Sequence, residues 1–317
     1  MPRVAVSDLL SCLHRGVIPR LTHDLHKGQG GKIGVVGGSF EYTGAPYYSA
    51  YSALKVGADL AFIFCTEAAS VPIKSYSPEL IVHPVLASND SSISCKKSVE
   101  KVSEHLERIS ALLIGPGLGR DECVMDVASG IIEKSKEYDI PLILDGDALW
   151  LLSKNKELIK GHKNCVLLPN VVEFKRLQSS ENQTVADLAE ELGALIVEKG
   201  KEDKIAIGEY VAICATENSA RRCGGQGDLL AGSMAVFMSW AHKYIQSQDH
   251  MNEDKAKKIK LSAAYGACSL TRECNQRTFQ KFHRGMTTVE MIQEIPQTFY
   301  ELHDKQIEQE DAENSDK

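Results

Sequence analysis

The feature that most constrains the fold of this 317-residue chain is a repeated pattern in which a short apolar segment ends at glycine or polar residues and a helix-like segment follows. The pattern predicts buried strands at residues 32–37, 58–65, 111–114, 141–144, 165–168 and 194–197. Amphipathic stretches such as residues 99–109 lie between them. Apolar strands that alternate with helices are typical of an α/β fold, in which a central, mostly parallel sheet is flanked by helices on both faces. In such folds ligands bind at the carboxyl ends of the strands.

The domain organisation follows from the same pattern. The alternation continues without a low-complexity break, so we predict one α/β domain over residues 1–304. Residues 204–214 predict a hairpin that turns near Gly208. Residues 305–317 are dominated by acidic and other polar side chains, and this composition predicts a disordered tail.

Charge and cysteine spacing exclude several classes of protein. The net charge of -7 argues against nucleic acid or an anionic membrane surface as the main partner. No apolar run approaches the roughly 20 residues that span a bilayer. Nine cysteines without a Cys-x-x-Cys pair predict reduced thiols in an intracellular protein, and zinc is not expected. We predict a cytoplasmic protein, and Arg3, Arg15 and Arg20 leave a mitochondrial presequence as the alternative.

The segment 221–232 (RRCGGQGDLLAG) is the strongest candidate for chemistry. Three glycines precede Asp228 and an apolar helix predicted over residues 229–240. Glycines let backbone N–H groups converge, and a helix N-terminus adds partial positive charge, so the segment predicts an anion site. Asp228 would stay ionised at its rim and accept a proton from a hydroxyl that attacks a phosphoryl group. The alternative is an ordinary loop in which Asp228 caps the helix.

Polar side chains follow other predicted strands, and each has a second interpretation. Asn170 and Glu173 suit Mg²⁺ beside triphosphate oxygens, or they form a capping box. Residues 199–203 offer two cations for phosphate, or a charged hairpin turn. Asp145 and Asp147 could support a metal or a ligand hydroxyl, although Asp147 would also suit a helix cap.

Two features beside these segments are less specific. The glycines of residues 115–119 (GPGLG) permit close approach of a flat ligand, but glycine turns are common without ligands. Cys223 adjoins the predicted anion site, yet phosphoryl transfer needs no thiol. We therefore predict a structural role for Cys223.

Five segments in this order resemble the ATP-dependent NAD(P)H-hydrate dehydratase family, a branch of the ribokinase-like fold. They are IGVVGGSFEYTGAPYYSAYSALKVGADL, IGPGLGR, LILDGDALWLL, LPNVVEFKRL and RRCGGQGDLLAG. The resemblance covers roughly residues 27–295. The GGQGD form is similar to the eukaryotic branch, which prefers ATP to ADP.

The resemblance implies a reaction and a set of contacts. The substrate would be NADHX or NADPHX, in which water has added to the nicotinamide ring and left a hydroxyl at carbon 6. ATP would phosphorylate this hydroxyl, with Asp228 as the base, and phosphate would then be eliminated. Contacts to the hydrated dinucleotide would fall on Gly117, Asn170, Val171, Val172, Glu173, Phe174, Lys175, Arg176 and Asp228. ATP contacts would fall on Lys199, Gly200, Lys201, Glu202, Asp203, Asn218, Ser219, Ala220, Arg221, Arg222, Cys223, Gly224, Gly225, Gln226 and Gly227.

The implied cofactors are ATP and Mg²⁺, with Glu173 holding the metal through water. A separate NAD(P)HX epimerase is the expected functional partner, because the chain lacks room for the epimerase domain of bacterial relatives. A homo-oligomer is left open. Alternatives are a ribokinase-like kinase of a small alcohol or vitamin precursor, a non-catalytic nucleotide sensor, and a dehydrogenase, which the spacing of residues 34–44 disfavours.

Overall fold

A computed structural model describes residues 3–24 and 26–315, and a sheet forms its centre. The strands of the described chain are β1 (Lys32–Val36), β2 (Leu60–Thr66), β3 (Ile81–Leu86), β4 (Ala111–Ile114), β5 (Leu142–Leu144), β6 (Cys165–Leu167), β7 (Leu195–Glu198), β8 (Asp203–Ile207) and β9 (Tyr210–Cys214). Their order across the sheet is β3-β2-β1-β4-β5-β6-β7-β8-β9. Each predicted strand is present, within a few residues of its predicted bounds.

The pairing of the strands confirms the predicted fold class. All neighbours from β3 across to β7 are parallel, whereas β7–β8 and β8–β9 are antiparallel. The predicted hairpin is β8–β9, and Gly208 has a φ of 51° at its turn. The chain runs outward from β1 through β2 to β3 and then crosses back to β4 on the other side of β1. Such a reversal of strand order opens a crevice at the carboxyl ends of the strands.

Helices cover both faces of the sheet. The α-helices of the described residues are α1 (Val6–Cys12), α2 (Gly44–Val56), α3 (Glu67–Tyr76), α4 (Cys95–Leu106), α5 (Glu122–Ser135), α6 (Asp147–Lys154), α7 (Val171–Leu177), α8 (Val185–Leu192), α9 (Gln226–Gln246), α10 (Glu253–Phe282), α11 (Thr288–Phe299) and α12 (Lys305–Ser315). Short π-helical turns follow α1 and α11, and 3₁₀ turns follow α6 and α10. None of these described helices has the length and apolarity needed to cross a membrane.

Two apolar cores result from this arrangement. Alternate residues of β4 divide between them, with Leu113 in one core and Leu112 and Ile114 in the other. The first core packs the sheet against α1, α2, α9, α10 and α11, and the second against α4, α5, α6 and α8. The period-2 alternation of a strand therefore places apolar side chains on both faces, which explains why the strands read as continuous apolar runs.

In the first core, α2 and α9 pack closely at Gly232. A Cβ built on Gly232 would lie 2.0 Å from the backbone oxygen of Ser49. We expect Gly232→Ala to destabilise the protein by about 1–3 kcal/mol, because overpacking forces the two helices apart. Urea denaturation measures this loss. Gly285→Ala is the matched control, since nothing lies within 4 Å of its added Cβ; equal stability of the two variants would contradict the prediction.

The segment predicted to be a disordered tail differs from that expectation. The structure places Lys305–Ser315 in α12, while residues 316 and 317 lie outside the described chain. Ile307 is buried, and Arg20 donates two hydrogen bonds to the carboxylate of Asp311 at 2.9 and 3.0 Å. Composition alone misses these contacts because the partner arginine lies far away in the sequence.

The cysteines also differ from the prediction of nine reduced thiols. Cys95 and Cys123 form a disulfide between the first turns of α4 and α5. The other seven cysteines are free. Cysteine spacing does not reveal the pair, because the packing of α4 against α5 brings together residues 28 positions apart.

Candidate active site

The glycine segment after β9 ends at the N-terminus of α9, as the sequence predicts. Gly225 is the N-cap of α9 and has a φ of 94°, a conformation that favours glycine. A Cβ at this position would also lie 2.7 Å from the ring of Tyr48. The helix begins at Gln226, three residues earlier than predicted, so Asp228 is its third residue and is not the N-cap. The first backbone N–H groups of a helix have no partner within it, which makes this turn a site for an anion.

Asp228 is half-buried in this turn. Burial raises the pKa of Asp228 well above its usual value, the charge of Asp145 raises this pKa further, and Lys199 lowers it. The sequence predicts that the helix N-terminus helps to keep Asp228 ionised, and burial acts in the opposite direction. A carboxylate whose pKa is raised is a stronger base than an ordinary aspartate.

A buried ion pair lies beside this turn. The ammonium of Lys199 donates to Asp145 Oδ1 over 2.6 Å, and the two side chains are only 18% and 6% exposed. A Cβ built on Gly227 would lie 3.5 Å from Lys199 Nζ and 3.8 Å from Asp145 Oδ2, so the pair is next to the first turn of α9. Burial lowers the pKa of Lys199, but the carboxylates of Asp145 and Glu173 outweigh it and the pKa is raised. Lys199 therefore stays positively charged.

Asn170 and Glu173 form the capping box that the sequence allowed. Asn170 Oδ1 accepts from the backbone N–H groups of Val172 and Glu173 at 2.9 and 3.0 Å, and Glu173 Oε2 accepts from Asn170 N at 2.8 Å. Burial is the main cause that raises the pKa of Glu173, and Lys199 opposes it. Capping occupies one carboxylate oxygen of Glu173 and does not exclude a second role for the other.

The fit of this site to Mg²⁺ rests on the chemistry of its side chains. No group of three or more His, Cys, Asp and Glu side chains in the described chain could enclose a metal ion. Mg²⁺ needs no such enclosure, because it commonly binds through one or two carboxylates, water and substrate phosphates. Glu173 supplies a carboxylate of this kind. The residues therefore suit Mg²⁺ that arrives with ATP, and they do not suit a metal held by protein ligands alone.

Two cavities lie beside Lys199 and Asn170. One is lined mainly by residues predicted to bind ATP, and the other mainly by residues predicted to bind the dinucleotide. The first, of about 540 Å³, is lined by nine of the fifteen predicted ATP-binding residues. Those nine are Lys199, Gly200, Lys201, Asp203, Asn218, Arg222, Cys223, Gln226 and Gly227. The second, of about 460 Å³, is lined by Asn170, Val171, Val172, Glu173, Arg176 and Lys199. The first cavity, called here the candidate nucleotide cleft, and the second, the candidate dinucleotide groove, thus share Asn170 and Lys199.

Four of the residues predicted to contact the dinucleotide do not line the second cavity, namely Gly117, Phe174, Lys175 and Asp228. Six of the predicted ATP contacts do not line the first cavity, namely Glu202, Ser219, Ala220, Arg221, Gly224 and Gly225. Phe174 is buried in the second core, so its side chain faces away from both cavities. Lys175 is exposed on α7 but does not line the groove. Gly117 lies in the loop after β4, where its carbonyl accepts from Gly38 N at 3.1 Å and Ser39 Oγ at 3.0 Å.

Sequence reasoning missed the contribution of α10, which supplies Thr271, Arg272 and Asn275 to the candidate nucleotide cleft. The Arg272 guanidinium is buried and donates to Asp203 Oδ2 at 3.0 Å and to Thr216 O at 2.8 Å. It also donates to the backbone oxygen of Lys201. Arg272 therefore ties the segment 199–203 to the strand end that follows β9.

Asn275, one turn further along α10, holds the other nucleotide segment. Its Oδ1 accepts from both the backbone N–H and the hydroxyl of Ser219, each at 2.8 Å, and its Nδ2 donates to Arg221 O at 3.3 Å. An arginine and an asparagine three residues apart, directly after the mainly apolar stretch 261–270, were the available signal. Buried polar side chains must be hydrogen-bonded, so such a pair predicts a network.

Cys223 and Thr288 complete the support of the glycine segment. Cys223 is half-buried, and Gln226 Nε2 donates to its sulfur at 3.1 Å. The Thr288 hydroxyl donates to Gly224 O at 2.6 Å. The first residue of α11 therefore fixes the turn from which α9 begins.

The parallel sheet, the switch in strand order and the glycine turn at a helix N-terminus define a ribokinase-like α/β protein. A ribokinase-like superfamily protein from Enterococcus faecalis superimposes with a TM-score of 0.74 at 22% identity, over 96% of each chain. The ADP/ATP-dependent NAD(P)H-hydrate dehydratase of Bacillus subtilis, co-crystallised with ATP and Mg²⁺, superimposes with a TM-score of 0.65 at 20% identity, over 95% of this chain and 99% of its own. At these identities the likeness establishes the fold.

Sequence comparison then identifies the family. Residues 33–297 match the NAD(P)H-hydrate dehydratase family, and the chain belongs to it. The rat ATP-dependent (S)-NAD(P)H-hydrate dehydratase is 47% identical over 306 residues, which are 93% of this chain and 86% of the rat protein. The enzyme of the same name from Schizosaccharomyces pombe is 38% identical over 312 residues, 95% of each chain. The family inferred from the five sequence segments is confirmed.

Proposed function

We propose that this chain is an ATP-dependent dehydratase that converts (S)-NADHX and (S)-NADPHX back to NADH and NADPH, and so repairs nicotinamide nucleotides. The observation that carries the proposal is the position of Asp228. It lies in the first turn of α9, directly after Gly227, which lines the cleft, and the charge of Lys199 acts on it. The Asp228 carboxylate therefore lies near two sources of positive charge, the N-terminus of α9 and the Lys199 ammonium. Phosphoryl transfer to a hydroxyl requires a base and positive charge of this kind.

The first step is phosphorylation of the ring hydroxyl. Asp228 accepts the proton of the hydroxyl at carbon 6 while the hydroxyl oxygen attacks the terminal phosphorus of ATP, and ADP leaves. The backbone N–H groups at the start of α9 and the Lys199 ammonium stabilise the negative charge on the transferred group. The raised pKa of Asp228 suits this role, because the base must bind the proton strongly enough to take it from an alcohol.

The second step is elimination. The bond between carbon 6 and the phosphate oxygen breaks, the ring nitrogen supplies electrons, and a proton leaves the neighbouring ring carbon to restore the double bond. Phosphate is a far better leaving group than hydroxide, since its second pKa is only about 6. The overall reaction consumes one ATP and releases ADP and phosphate for each NAD(P)H restored.

The ligands divide between the two cavities in this proposal. ATP occupies the 540 Å³ cleft between the segments 199–203 and 218–227, and the hydrated dinucleotide occupies the groove along α7. Glu173, in the second cavity, would hold Mg²⁺ through water. Bound there, Mg²⁺ would neutralise charge on the ATP phosphates. Gly117 and residues 170–176 are proposed as contacts to the dinucleotide.

The cellular setting is also a proposal. Because the relatives act on the (S) form of the hydrate, as their names state, a separate epimerase would supply that form from its (R) epimer. We place the enzyme in the cytoplasm, with mitochondria as the alternative. Residues 1–304 are proposed to act as one domain, and a homo-oligomer is compatible with this arrangement.

ATP-dependent recovery of NADH from its hydrate is the experiment that tests the proposed function. We expect the purified protein to restore NADH absorbance from enzymatically hydrated NADH when ATP and Mg²⁺ are present, with ADP and phosphate released in equal amounts. The controls are a reaction without ATP and a reaction with NADH that has not been hydrated. A kinase of a small alcohol would release no NADH and would accumulate a phosphorylated product, and that outcome would overturn the proposal.

A further inference from the structure

The buried pair of Asp145 and Lys199 joins two strand ends that are not neighbours in the sheet. Asp145 follows β5 and Lys199 follows β7, with β6 between them. Both backbones are fixed, because Asp145 N donates to Ile114 O at 3.1 Å and Lys199 N donates to Pro169 O at 2.8 Å. The 2.6 Å bond between the side chains therefore sets the position of the Lys199 ammonium.

Stability gives no reason for such a pair. Removing two charges from water is costly, and apolar residues of similar volume are often as stable as a buried ion pair. The pair does, however, lie within contact distance of the added Cβ on Gly227, at the turn that carries Asp228. Its location therefore points to a role in the reaction.

We propose that Asp145 is a positioning residue that holds the Lys199 ammonium at the first turn of α9, where Lys199 meets the phosphoryl group during its transfer. This inference rests on the proposed function. Without the Asp145 carboxylate, the flexible Lys199 side chain could turn toward Glu173, which also lies close enough to influence its charge. The ammonium would then leave the point at which negative charge develops.

The pH dependence of kcat/KM distinguishes this role from a merely structural one. The charged and titratable groups that act on Asp228 or are acted on by it are Asp145 after β5, Lys199 after β7 and Tyr48 of α2. The charge of Asp145 raises the pKa of Asp228, and that of Lys199 lowers it. The effect of Asp145 on this pKa is the larger of the two. Removing the charge of Asp145 should therefore shift the acid limb of the pH profile to lower pH even when the Lys199 ammonium moves away, and removing the charge of Lys199 alone should shift it to higher pH.

Kinetics of Asp145→Asn test the inference. Asparagine keeps the size of the side chain and loses its charge. We expect kcat for NADHX to fall by about 10–10²-fold, because the ammonium is misplaced. We expect KM for NADHX to stay close to the wild-type value and the acid limb of kcat/KM to move to lower pH. Lys199→Met should lower kcat and move the acid limb in the opposite direction, whereas Lys199→Arg, which keeps the charge, should leave the limb near its wild-type position.

Glu191→Gln is the matched control, because Glu191 forms an ion pair with Lys156 that is remote from the cleft. It should keep wild-type kinetics. Wild-type protein that fails to restore NADH would refute the proposed function itself. If the wild type is active, two results for Asp145→Asn would overturn the inference. One is a wild-type kcat, and the other is a lower kcat with an unmoved acid limb. Should Asp145→Asn fail to fold, the comparison of Lys199→Met with Lys199→Arg decides, since equal acid limbs would overturn it.

Discussion

Asp228→Asn is expected to lower kcat by about 10²–10⁴-fold, the range that general base catalysis contributes. Asparagine fills the same space at the start of α9 but accepts no proton from the ring hydroxyl. The cleft for ATP remains, so ATP should still bind. Turnover measured by recovery of NADH, together with ATP titration by calorimetry, separates the two effects.

The folding stability of this variant gives an independent check. Because the pKa of Asp228 is raised in the folded state, the folded protein binds a proton there more strongly than the unfolded chain does. Stability therefore falls as pH rises from the ordinary aspartate value through the raised one. Asparagine carries no such penalty, so the melting temperature at neutral pH should equal or exceed that of the wild type.

Asp126→Asn is the control for this prediction, because Asp126 is exposed on α5. It should leave turnover and melting temperature unchanged. Wild-type turnover by Asp228→Asn would remove the proposed base from the mechanism. A variant that loses ATP binding together with activity would show that Asp228 acts in binding instead.

Arg272→Met is expected to cost about 3–5 kcal/mol of folding free energy, because it leaves the Asp203 carboxylate buried without its cation. The segment 199–203 would also lose the guanidinium that holds it to the strand end at Thr216. We therefore expect KM for ATP to rise more strongly than KM for NADHX. Urea denaturation measures the stability, and initial rates at varied ATP measure the KM.

A double substitution distinguishes lost charge pairing from lost packing. Asp203→Asn combined with Arg272→Met should be more stable than Arg272→Met alone, since no unpaired carboxylate remains buried. Lys160→Met removes one member of an exposed pair with Glu157 and should change stability little. Wild-type stability and wild-type KM for ATP in Arg272→Met would contradict the assigned role of Arg272.

The sequence predicts the parts of the fold that depend on local patterns. Apolar runs that end at glycine or polar residues predict β4 and β5, and the glycine segment predicts both an anion site and the helix that carries Asp228. The start of α9 is misplaced by three residues, because glycine counts as a helix breaker although Gly227 lies within the first turn.

The rest depends on contacts between residues distant in the sequence. The carboxylate of Asp145 and the ammonium of Lys199 are 54 positions apart, and only the order of the strands brings them together. Arg272 lies 69 positions from Asp203. Local propensity contains no information about such pairs, and for this reason the supports of the site were missed while its glycine segment was predicted.

The 30-residue helix α10 anchors both nucleotide segments through Arg272 and Asn275. The backbone of these segments is already ordered without ATP, so ATP binding costs little conformational entropy there. The two segments also cannot move independently of each other, since both are hydrogen-bonded to the same helix. Any movement of one segment on ATP binding must therefore involve α10 as well, or break these hydrogen bonds.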